Sequence, residues 1–391
     1  MLSSYEFLAP PRIVFGWGRW REVGPLAAGL GRRAWVVVGS RTLEAAGVIN
    51  ELHEVLRGHG VEPLTLAHAR GEPTVAEVDE AASRLRALGV GSGDIVLALG
   101  GGSAIDLGKA LAALATNTEG ESVRDYLEGV GRGLKLTARP LPVIALPTTA
   151  GTGSEATKNA VISVDSPSVK KSLRSDDLVP NVVVIDPELA VGLPATTTAH
   201  TGMDAITQLI ESYISKRARP IPQALAAHGL RLALPVIVEA VENGRSRPAR
   251  EAMAHAALLS GMALANSGLG MAHGVAAALG VHCNVPHGLA CAVMLATALR
   301  VNRSVAEGRL AELARSAGLT DSRSDGAAAD ALLSRVESIG QRIGIPKRLS
   351  ELGVRAEQIP ALVRDSRGNS MDGNPRTLSD DELANILEEQ L

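Results

Sequence analysis

The sequence predicts two domains: a doubly wound α/β domain over residues 1–194 and an all-α domain over residues 195–391. In the first half, short runs of valine, isoleucine and leucine alternate with segments of helical periodicity, as in parallel strands that are buried on both faces. In the second half the strand signal fades, and long alanine- and leucine-rich stretches follow. Strand, helix and strand in succession imply βαβ units, so the first domain is predicted to be Rossmann-like.

Five apolar runs in the first half are the predicted strands. Between the second and third runs, Thr74 and Glu77 form a capping box, apolar residues follow at helical spacing, and Gly89 ends the predicted helix. The domain boundary is placed near Asp186–Thr198, which is rich in Pro, Gly and Thr. The predicted strands are Ala34–Gly39, Val61–Leu66, Asp94–Leu99, Leu141–Leu146 and Pro180–Ile185.

The second half is predicted to be helical throughout. Its last helix begins at the capping box formed by Ser379 and Glu382. The earlier predicted helices lie within Ala224–Gly244, Glu251–Ser267, Ala306–Gly318 and Ala328–Gly344.

Composition argues against several classes of protein. The chain has 391 residues, of which 46% are apolar, and this is enough for a sizeable core. A formal net charge of −3 and only three Trp, three Tyr and two Phe argue against nucleic-acid binding. Cys283 and Cys291 lack CxxC spacing and are predicted to be reduced structural thiols. Because the N-terminus also lacks a signal-peptide pattern, we expect a cytoplasmic protein.

One segment is long enough to cross a bilayer. Residues 258–281 contain no Asp, Glu, Lys or Arg. Glycines, serines, Asn266 and His273 interrupt the segment, so a buried helix pair in a soluble domain is the favoured interpretation. We therefore expect no membrane association.

A glycine-rich turn follows the third predicted strand in LALGGGSAIDLGKA. Gly100, Gly101 and Gly102 permit positive φ and close approach of the backbone to a ligand. Ser103 and the N–H groups at the start of the next helix would then face an anion. The segment matches neither GxGxxG nor the P-loop, and taken alone it could equally be a tight turn that binds nothing.

A second turn of this kind follows the fourth predicted strand in PTTAGTGSE. Thr148, Thr149 and Thr152 offer hydroxyl groups, and Gly151 and Gly153 allow close approach. Because ligands bind at the carboxyl ends of the strands in such sheets, the two turns together predict a dinucleotide site. A cleft between the α/β and helical domains is the expected place for a ligand.

Candidate metal ligands lie in the second half. Asp204, His273 and His287 provide one carboxylate and two imidazoles, a common set for Fe²⁺ or Zn²⁺. The spacing alone cannot show that the three side chains converge, and each histidine could equally be a packed or surface residue.

Six ordered motifs give the chain a specific resemblance. GGGSAIDLGKA, PTTAGTGSE, DPELAVGLP, TGMDA, MAHG and PHG resemble the iron-containing (group III) alcohol dehydrogenases, and the resemblance extends from Pro11 to the C-terminal SRGNSMDGNPR. It implies a dehydroquinate synthase-like architecture: an NAD(P)-binding α/β domain, a helical domain and a divalent metal, Fe²⁺ or Zn²⁺, between them. It also implies a small alcohol, aldehyde or ketone as substrate and a homodimer.

The resemblance assigns the cofactor site. Lys170 is similar to a family lysine that reaches the cofactor ribose. After the first strand, many NAD-using members carry an Asp, whereas this chain has Gly39 and Ser40 followed by Arg41. The missing carboxylate and the nearby guanidinium favour NADP, or use of both NADP and NAD. The other residues implied at the cofactor are Gly101, Gly102, Ser103, Thr148, Thr149 and Thr152.

The metal site departs from the family pattern at one ligand. Asp204, His273 and His287 match, but Gln208 stands where the family has its first histidine. Residues 204 and 208 share a helix face, so Gln208 is expected to be a weak fourth ligand or a partner to bound water or substrate.

The expected proton relay also departs from the family. Ala277 replaces a histidine that helps many members to shuttle the alcohol proton. His282 is the candidate substitute, although it could equally be a packed imidazole. The other route for the proton is through water and the nicotinamide ribose.

Together these features predict a metal-assisted, NAD(P)-dependent dehydrogenase that interconverts an alcohol and an aldehyde or ketone. Hydride would move between nicotinamide C4 and the substrate carbon, with the metal as Lewis acid. Two alternatives stay open: another enzyme of the dehydroquinate synthase-like superfamily, or a non-catalytic nucleotide-binding protein whose metal site has decayed. The intact Asp204, His273 and His287 argue against decay.

Overall fold

A computed structural model describes residues 4–39, 41–166 and 168–391 and divides the chain into two compact units. The α/β unit comprises Ala9–Thr149 and Gly153–Leu193. The helical unit comprises residues 4–8, Ala150–Thr152 and Pro194–Leu391. The short segment Ala150–Thr152, from the second glycine-rich turn, thus belongs to the helical unit although both its neighbours in sequence belong to the α/β unit.

The α/β unit is built on a parallel sheet. Among the described residues its strand order is β1-β8-β5-β4-β2-β3, and every paired neighbour is parallel. Apolar side chains cover both faces of the sheet, which confirms the predicted doubly wound class. The strands are β1 Ile13–Phe15, β2 Arg33–Val38, β3 Glu62–His68, β4 Asp94–Gly100, β5 Val143–Pro147, β6 Asn159–Val164, β7 Val169–Arg174 and β8 Val182–Ile185. The α-helices of this unit are α1 Val23–Ala28, α2 Arg41–Ala45, α3 Val48–Gly58, α4 Val75–Ala87 and α5 Gly102–Thr116.

Two features of this unit were not predicted. β1 is a short edge strand beside β8, and β6 and β7 form an antiparallel hairpin outside the main sheet. β6 alternates between buried and partly exposed residues, which is the period-2 pattern of a strand with one covered face. This alternating pattern is the feature of the sequence that could have predicted β6. The strands predicted above rest instead on continuous apolar runs.

The register of the sheet brings the two glycine-rich turns to one edge. Val38 at the end of β2 pairs with Leu99, and Gly100 pairs with Pro147 at the end of β5. The N–H of Thr148 donates to the carbonyl of Gly100 over 3.0 Å, which extends the pairing into the second turn.

A buried carboxylate joins β2 and β4 at the opposite ends of these strands. Asp94 accepts hydrogen bonds from Arg33 Nε at 2.8 Å, from the indole N–H of Trp35 at 3.0 Å and from the N–H of Gly91 at 2.9 Å. Burial alone would raise the pKa of Asp94, but these bonds outweigh burial and hold the pKa below its ordinary value.

The helical unit packs around α6, which contacts α7, α8 and α10. Within it, α8 ends at Ser267 and α9 begins at Met271, and the two helices meet at a bend of about 100°. The predicted helix pair in residues 258–281 is therefore present. The α-helices of this unit are α6 Ala195–Ile214, α7 Pro220–Glu242, α8 Arg247–Ser267, α9 Met271–Cys283, α10 His287–Ser316, α11 Asp325–Arg342, α12 Ile359–Asp365, α13 Asn369–Asp372 and α14 Asp380–Glu388.

By length and composition alone, two of these helices could cross a membrane. They are α7 and α10, and the bent pair α8–α9 would be a third if it counted as one broken span. Both α7 and α10 contribute buried residues to the apolar core of the helical unit.

Asp94→Asn should lower the free energy of unfolding at pH 7 by about 1–3 kcal/mol, because the charged hydrogen bond to Arg33 is lost. The folded pKa of Asp94 is depressed, so its contribution is present above the unfolded pKa of about 3.9 and disappears as the pH falls through the folded value. The difference between wild type and variant should therefore shrink below pH ~4. Denaturant unfolding at several pH values measures it, with the exposed Asp177→Asn as control. A difference that stayed constant with pH would contradict the account.

Candidate metal centre and cofactor cradle

Three helices of the helical unit bring the predicted metal ligands together. α6 carries Asp204, α9 carries His273 in its first turn, and α10 begins at His287. One ligand atom from each of these residues, together with the sulfur of Cys291, lies within 4.8 Å of every other. This convergence is what the sequence spacing could not establish.

The geometry of the cluster suits a single small cation. Asp204 Oδ1 lies 3.2 Å from His273 Nε2 and 3.9 Å from His287 Nε2. Asp204 and His273 are buried, whereas His287 is partly exposed. Two imidazoles, a carboxylate and a thiol are all donors that Zn²⁺ or Fe²⁺ accepts in proteins. The residues present therefore fit a divalent metal.

Glu211 fixes the orientation of His273. It lies two turns after Asp204 on α6, and its Oε2 is 2.7 Å from His273 Nδ1. A proton on Nδ1 donates to this carboxylate and leaves the lone pair of Nε2 directed at Asp204. Glu211 is not among the site residues predicted from the sequence. It lies seven residues after Asp204, and residues at this spacing share one face of a helix.

The same carboxylate caps α9. Glu211 accepts from the N–H groups of Gly270 at 3.0 Å and Ala272 at 2.7 Å. Asn374 accepts from the N–H of Met271 at 3.0 Å, so the C-terminal motif SRGNSMDGNPR also holds this helix start. Because the first N–H groups of a helix have no partner within it, this capping fixes the position of His273.

Electrostatics in the cluster favour positive charge. Burial opposes protonation of His273, but the neighbouring Cys291, Asp204 and Glu211 raise its pKa well above the ordinary value. Coulombic attraction to Cys291 is the largest of the effects that raise the pKa of His287 to about 9. Burial opposes ionisation of Asp204, yet the two histidines hold its pKa below the ordinary value. A divalent cation would displace the imidazole protons, since only neutral imidazole ligates.

Cys291, which the sequence predicts to be a reduced structural thiol, belongs to this cluster. Its sulfur is 3.7 Å from His287 Nε2, and it lies one turn after His287 on α10. The signal in the sequence was the His-x-x-x-Cys spacing at the start of a helix, since such residues share a face.

Gln208 lies one turn after Asp204, as predicted, but its amide group is engaged elsewhere. Its Oε1 accepts from the hydroxyl of Ser260 at 2.6 Å, and its Nε2 donates to the carbonyl of Thr152 at 3.3 Å. The ligand role of Gln208 stays a prediction, and neither of these contacts is with the metal-ligand cluster.

His282 lies away from the cluster. It is nine residues after His273 on α9, which puts it on the opposite helix face and about 13 Å further along the axis. Its Nε2 contacts Asp365 Oδ2 at 2.6 Å. The structure gives the predicted proton-relay role of His282 no geometric support, and Ala277 occupies the face one turn after His273.

In the first glycine-rich turn the backbone is closely packed, and Gly100, Gly101 and Gly102 do not adopt the left-handed conformation. Gly101 caps α5 at φ −73°, and positive φ is found at none of residues 100–102, so that part of the prediction is wrong. A Cβ on Gly100 would lie 2.6 Å from Cβ of Ala104 and 2.9 Å from Cα of Gly39. Glycine is required here because β2, β4 and α5 meet without space for side chains.

The remaining predicted cofactor residues lie in both units. Gly102 and Ser103 open α5 in the α/β unit, where the first N–H groups of a helix are available to an anion. Thr148 and Thr149 follow β5, and Thr149 borders Gly101. Thr152 belongs to the helical unit, where a Cβ on the adjacent Gly151 would lie 2.6 Å from Cβ of Thr201.

Two cofactor predictions rest on charged or polar side chains outside these turns. Lys170 lies on β7, where its Nζ pairs with Glu72 at 2.6 Å, and its predicted contact with the ribose stays a prediction. Ser40 lies outside the described residues, as does the side chain of Arg41.

A buried charged group anchors the loop that follows the second turn. Lys109 on α5 is fully buried and donates to the carbonyls of Ser154, of Thr157 at 2.8 Å and of Asn159 at 2.9 Å. Asp106, one turn earlier, accepts from the hydroxyl of Ser154 and from the N–H of Val161 at 3.2 Å. Burial lowers the pKa of Lys109 to about 8.

Comparisons with known proteins identify the family. The family model for iron-containing alcohol dehydrogenase matches residues 10–187, and the model for the C-terminal part of the Fe-containing alcohol dehydrogenase family matches residues 198–391. The chain therefore belongs to the iron-containing alcohol dehydrogenase family. It is an NAD(P)-dependent oxidoreductase acting on CH–OH groups, and the family uses NAD(P) and a divalent metal.

Relatives match over nearly their whole length. The NAD-dependent methanol dehydrogenase of Bacillus methanolicus is 32% identical, over 99% of this chain and 100% of that protein. A crystal structure of 1,3-propanediol oxidoreductase has 32% identity and a TM-score of 0.92, with 100% of both chains covered. The sulfoacetaldehyde reductase of Bifidobacterium kashiwanohense, in complex with NAD⁺, has 32% identity and a TM-score of 0.88, with 99% of both chains covered.

Glu211→Gln should weaken metal binding by about 10- to 100-fold, because His273 loses the carboxylate that orients it. Titration of the metal-free protein with Zn²⁺ by calorimetry measures the change, with exposed Glu357→Gln as the matched control. An unchanged affinity in a folded variant would show that Glu211 serves only as a helix cap.

Lys109→Met should lower the free energy of unfolding by about 3–5 kcal/mol, because it leaves three carbonyl groups without their buried donor and removes the positive charge that favours ionised Asp106. The double variant Asp106→Asn/Lys109→Met should lose less than the sum of the two single variants. The NADH dissociation constant should also rise, because the loop is attached to the second turn. Denaturant unfolding and NADH fluorescence titration measure both effects, with exposed Lys135→Met as control. Additive losses would contradict the coupling.

Proposed function

We propose that this enzyme interconverts small alcohols with their aldehydes or ketones and holds its divalent metal through Asp204, His273 and His287. The convergence of these three side chains carries the proposal. Three of the relatives are named for methanol, 1,3-propanediol and sulfoacetaldehyde, and these three names support a substrate of a few carbon atoms.

Each proposed metal ligand has a defined task. A divalent ion bound here supplies a Lewis acid for the substrate oxygen. Asp204 contributes the buried negative charge, and Glu211 holds His273 in the tautomer that exposes Nε2. His287 is the more accessible of the two imidazoles, so we place the substrate on its side of the cluster.

The cofactor pyrophosphate is proposed to bind at the first N–H groups of α5. Ser103 adds a hydroxyl at the same helix start, and Thr148, Thr149 and Thr152 follow in the second turn. Lys170 is proposed to reach the ribose. The backbone packs so closely at Gly39 that a Cβ there would lie 2.6 Å from Cβ of Ala104. Ser40 and Arg41 follow in the sequence, a hydroxyl and a guanidinium where many NAD-using members carry a carboxylate, and this supports NADP or the use of both cofactors.

The alcohol proton is proposed to leave through water and the nicotinamide ribose. Position 277, one turn after His273, carries a methyl group and cannot relay a proton. We further propose a cytoplasmic homodimer: the reduced state of Cys283 and Cys291 supports the compartment, and the family resemblance supports the dimer.

Asp204→Ala should reduce kcat/KM for aldehyde reduction by about 10³-fold or more, since the Lewis acid contributes several kcal/mol to the transition state. The assay follows NADPH and NADH oxidation with a series of short aldehydes, and Asp321→Ala, an exposed site, is the control. Chelation should abolish wild-type activity, and Fe²⁺ or Zn²⁺ should restore it.

NADPH should give kcat/KM at least equal to that of NADH in the same assay. A strong preference for NADH would contradict the cofactor proposal. A wild-type protein that binds NADPH but reduces none of these aldehydes would contradict the proposed substrate class.

A further inference from the structure

We infer that Cys291 is the fourth protein ligand of the metal, in place of the imidazole that Gln208 replaces. This inference rests on the proposed function, because it concerns the same metal centre. It departs from the sequence prediction, in which Gln208 is a weak fourth ligand or a partner to bound water or substrate, and Cys291 is a structural thiol.

The distances in the cluster are close to those of a tetrahedral ligand set. With metal–ligand bonds of about 2.0–2.3 Å, neighbouring ligand atoms of a tetrahedron lie about 3.3–3.8 Å apart. The structure has 3.2 Å between Asp204 Oδ1 and His273 Nε2, 3.9 Å between Asp204 Oδ1 and His287 Nε2, and 3.7 Å between His287 Nε2 and Cys291 Sγ. The four donor atoms therefore already stand close to the positions that one metal ion requires.

The helices fix Cys291 at this position. His287 and Cys291 are separated by one turn of α10, so both side chains project from the same face towards Asp204 on α6. Cys291 is fully buried, and it is the buried thiol of the two, since Cys283 is partly exposed. Its sulfur already lies within 4.8 Å of a ligand atom of each of the other three residues.

Gln208 is a poor competitor for the same position. Its amide oxygen accepts from the buried hydroxyl of Ser260, and its amide nitrogen donates to the carbonyl of Thr152. Rotating the amide towards a metal would break both bonds inside a buried environment, which costs the desolvation of each group left unpaired. Gln208, which replaces the family's histidine, thus already links α6 to α8 through its hydrogen bond with Ser260.

A thiolate changes the chemistry of the centre. Asp204 and a Cys291 thiolate together carry two negative charges, which match the two positive charges of the ion, whereas one carboxylate with neutral ligands carries one. Thiolate is a soft ligand and favours Zn²⁺ among the two metals considered. Catalytic zinc sites sometimes expand from four to five ligands, and a centre with four protein donors would bind the substrate oxygen in this way.

X-ray absorption spectroscopy of the zinc-loaded wild-type protein tests the assignment. A sulfur ligand should appear as one scatterer at about 2.3 Å beside nitrogen and oxygen at about 2.0–2.1 Å. Cys291→Ser should lose the sulfur contribution and bind Zn²⁺ more weakly, by more than the roughly 10- to 100-fold loss typical of a missing partner to a ligand. Cys283→Ser, which removes the other thiol, should keep the sulfur contribution and the wild-type affinity.

The outcomes separate this assignment from the proposed function. Wild-type protein with one bound zinc and only nitrogen and oxygen neighbours would overturn the role of Cys291 and leave the dehydrogenase proposal intact. A sulfur ligand that persists in the spectrum of Cys291→Ser and disappears from that of Cys283→Ser would also overturn the assignment of Cys291. A folded wild-type protein that binds no zinc, iron or cobalt would overturn both proposals. In cobalt-loaded protein, a thiolate-to-cobalt charge-transfer band that requires Cys291 and not Cys283 would support the assignment independently.

Discussion

The centre of the helical unit depends on one buried carboxylate, that of Glu211. Its two oxygens accept hydrogen bonds from the first N–H groups of α9 and from Nδ1 of His273, so a single side chain caps a helix and orients a proposed metal ligand. Because α6 carries both Glu211 and Asp204, the position of α9 relative to the carboxylate ligand is set by two turns of one helix. Asn374 adds the remaining bond at the start of α9 and ties the C-terminal segment to the same point.

In the α/β unit, close packing of the backbone, rather than a buried side chain, positions the first glycine-rich turn. Gly39 at the end of β2 and Gly100 at the end of β4 let both strands meet α5 where any Cβ would collide. The beginning of α5 is thereby held at the carboxyl edge of the sheet, where a helix start favours an anion. Asp106 and Lys109, within the same helix, then fix the loop beyond the second turn through buried charged hydrogen bonds. One helix thus presents the proposed phosphate site and also anchors the loop beside it.

Much of this architecture was predictable from local patterns, because buried parallel strands and capped helices leave strong signals in sequence. β2, β4 and the capping box of α4 are examples. The hairpin of β6 and β7 was missed because its alternating pattern is weaker than a continuous apolar run. At the metal centre, Asp204, His273 and His287 could be named from motifs, but their convergence depends on the bend between α8 and α9 and on the packing of three helices. Glu211 and Cys291 were not predicted for the same reason. Their contacts with His273 and His287 become apparent only when each residue is assigned to a face of its helix.

The central claim is that the helical unit holds one divalent ion between Asp204, His273 and His287. Anomalous diffraction from crystals of the metal-loaded protein, collected on both sides of the metal absorption edge, tests it most directly. We expect one metal peak per chain, within about 2.0–2.3 Å of a donor atom from each of these three residues. A peak bound elsewhere, or a centre that stays empty at saturating metal, would contradict it.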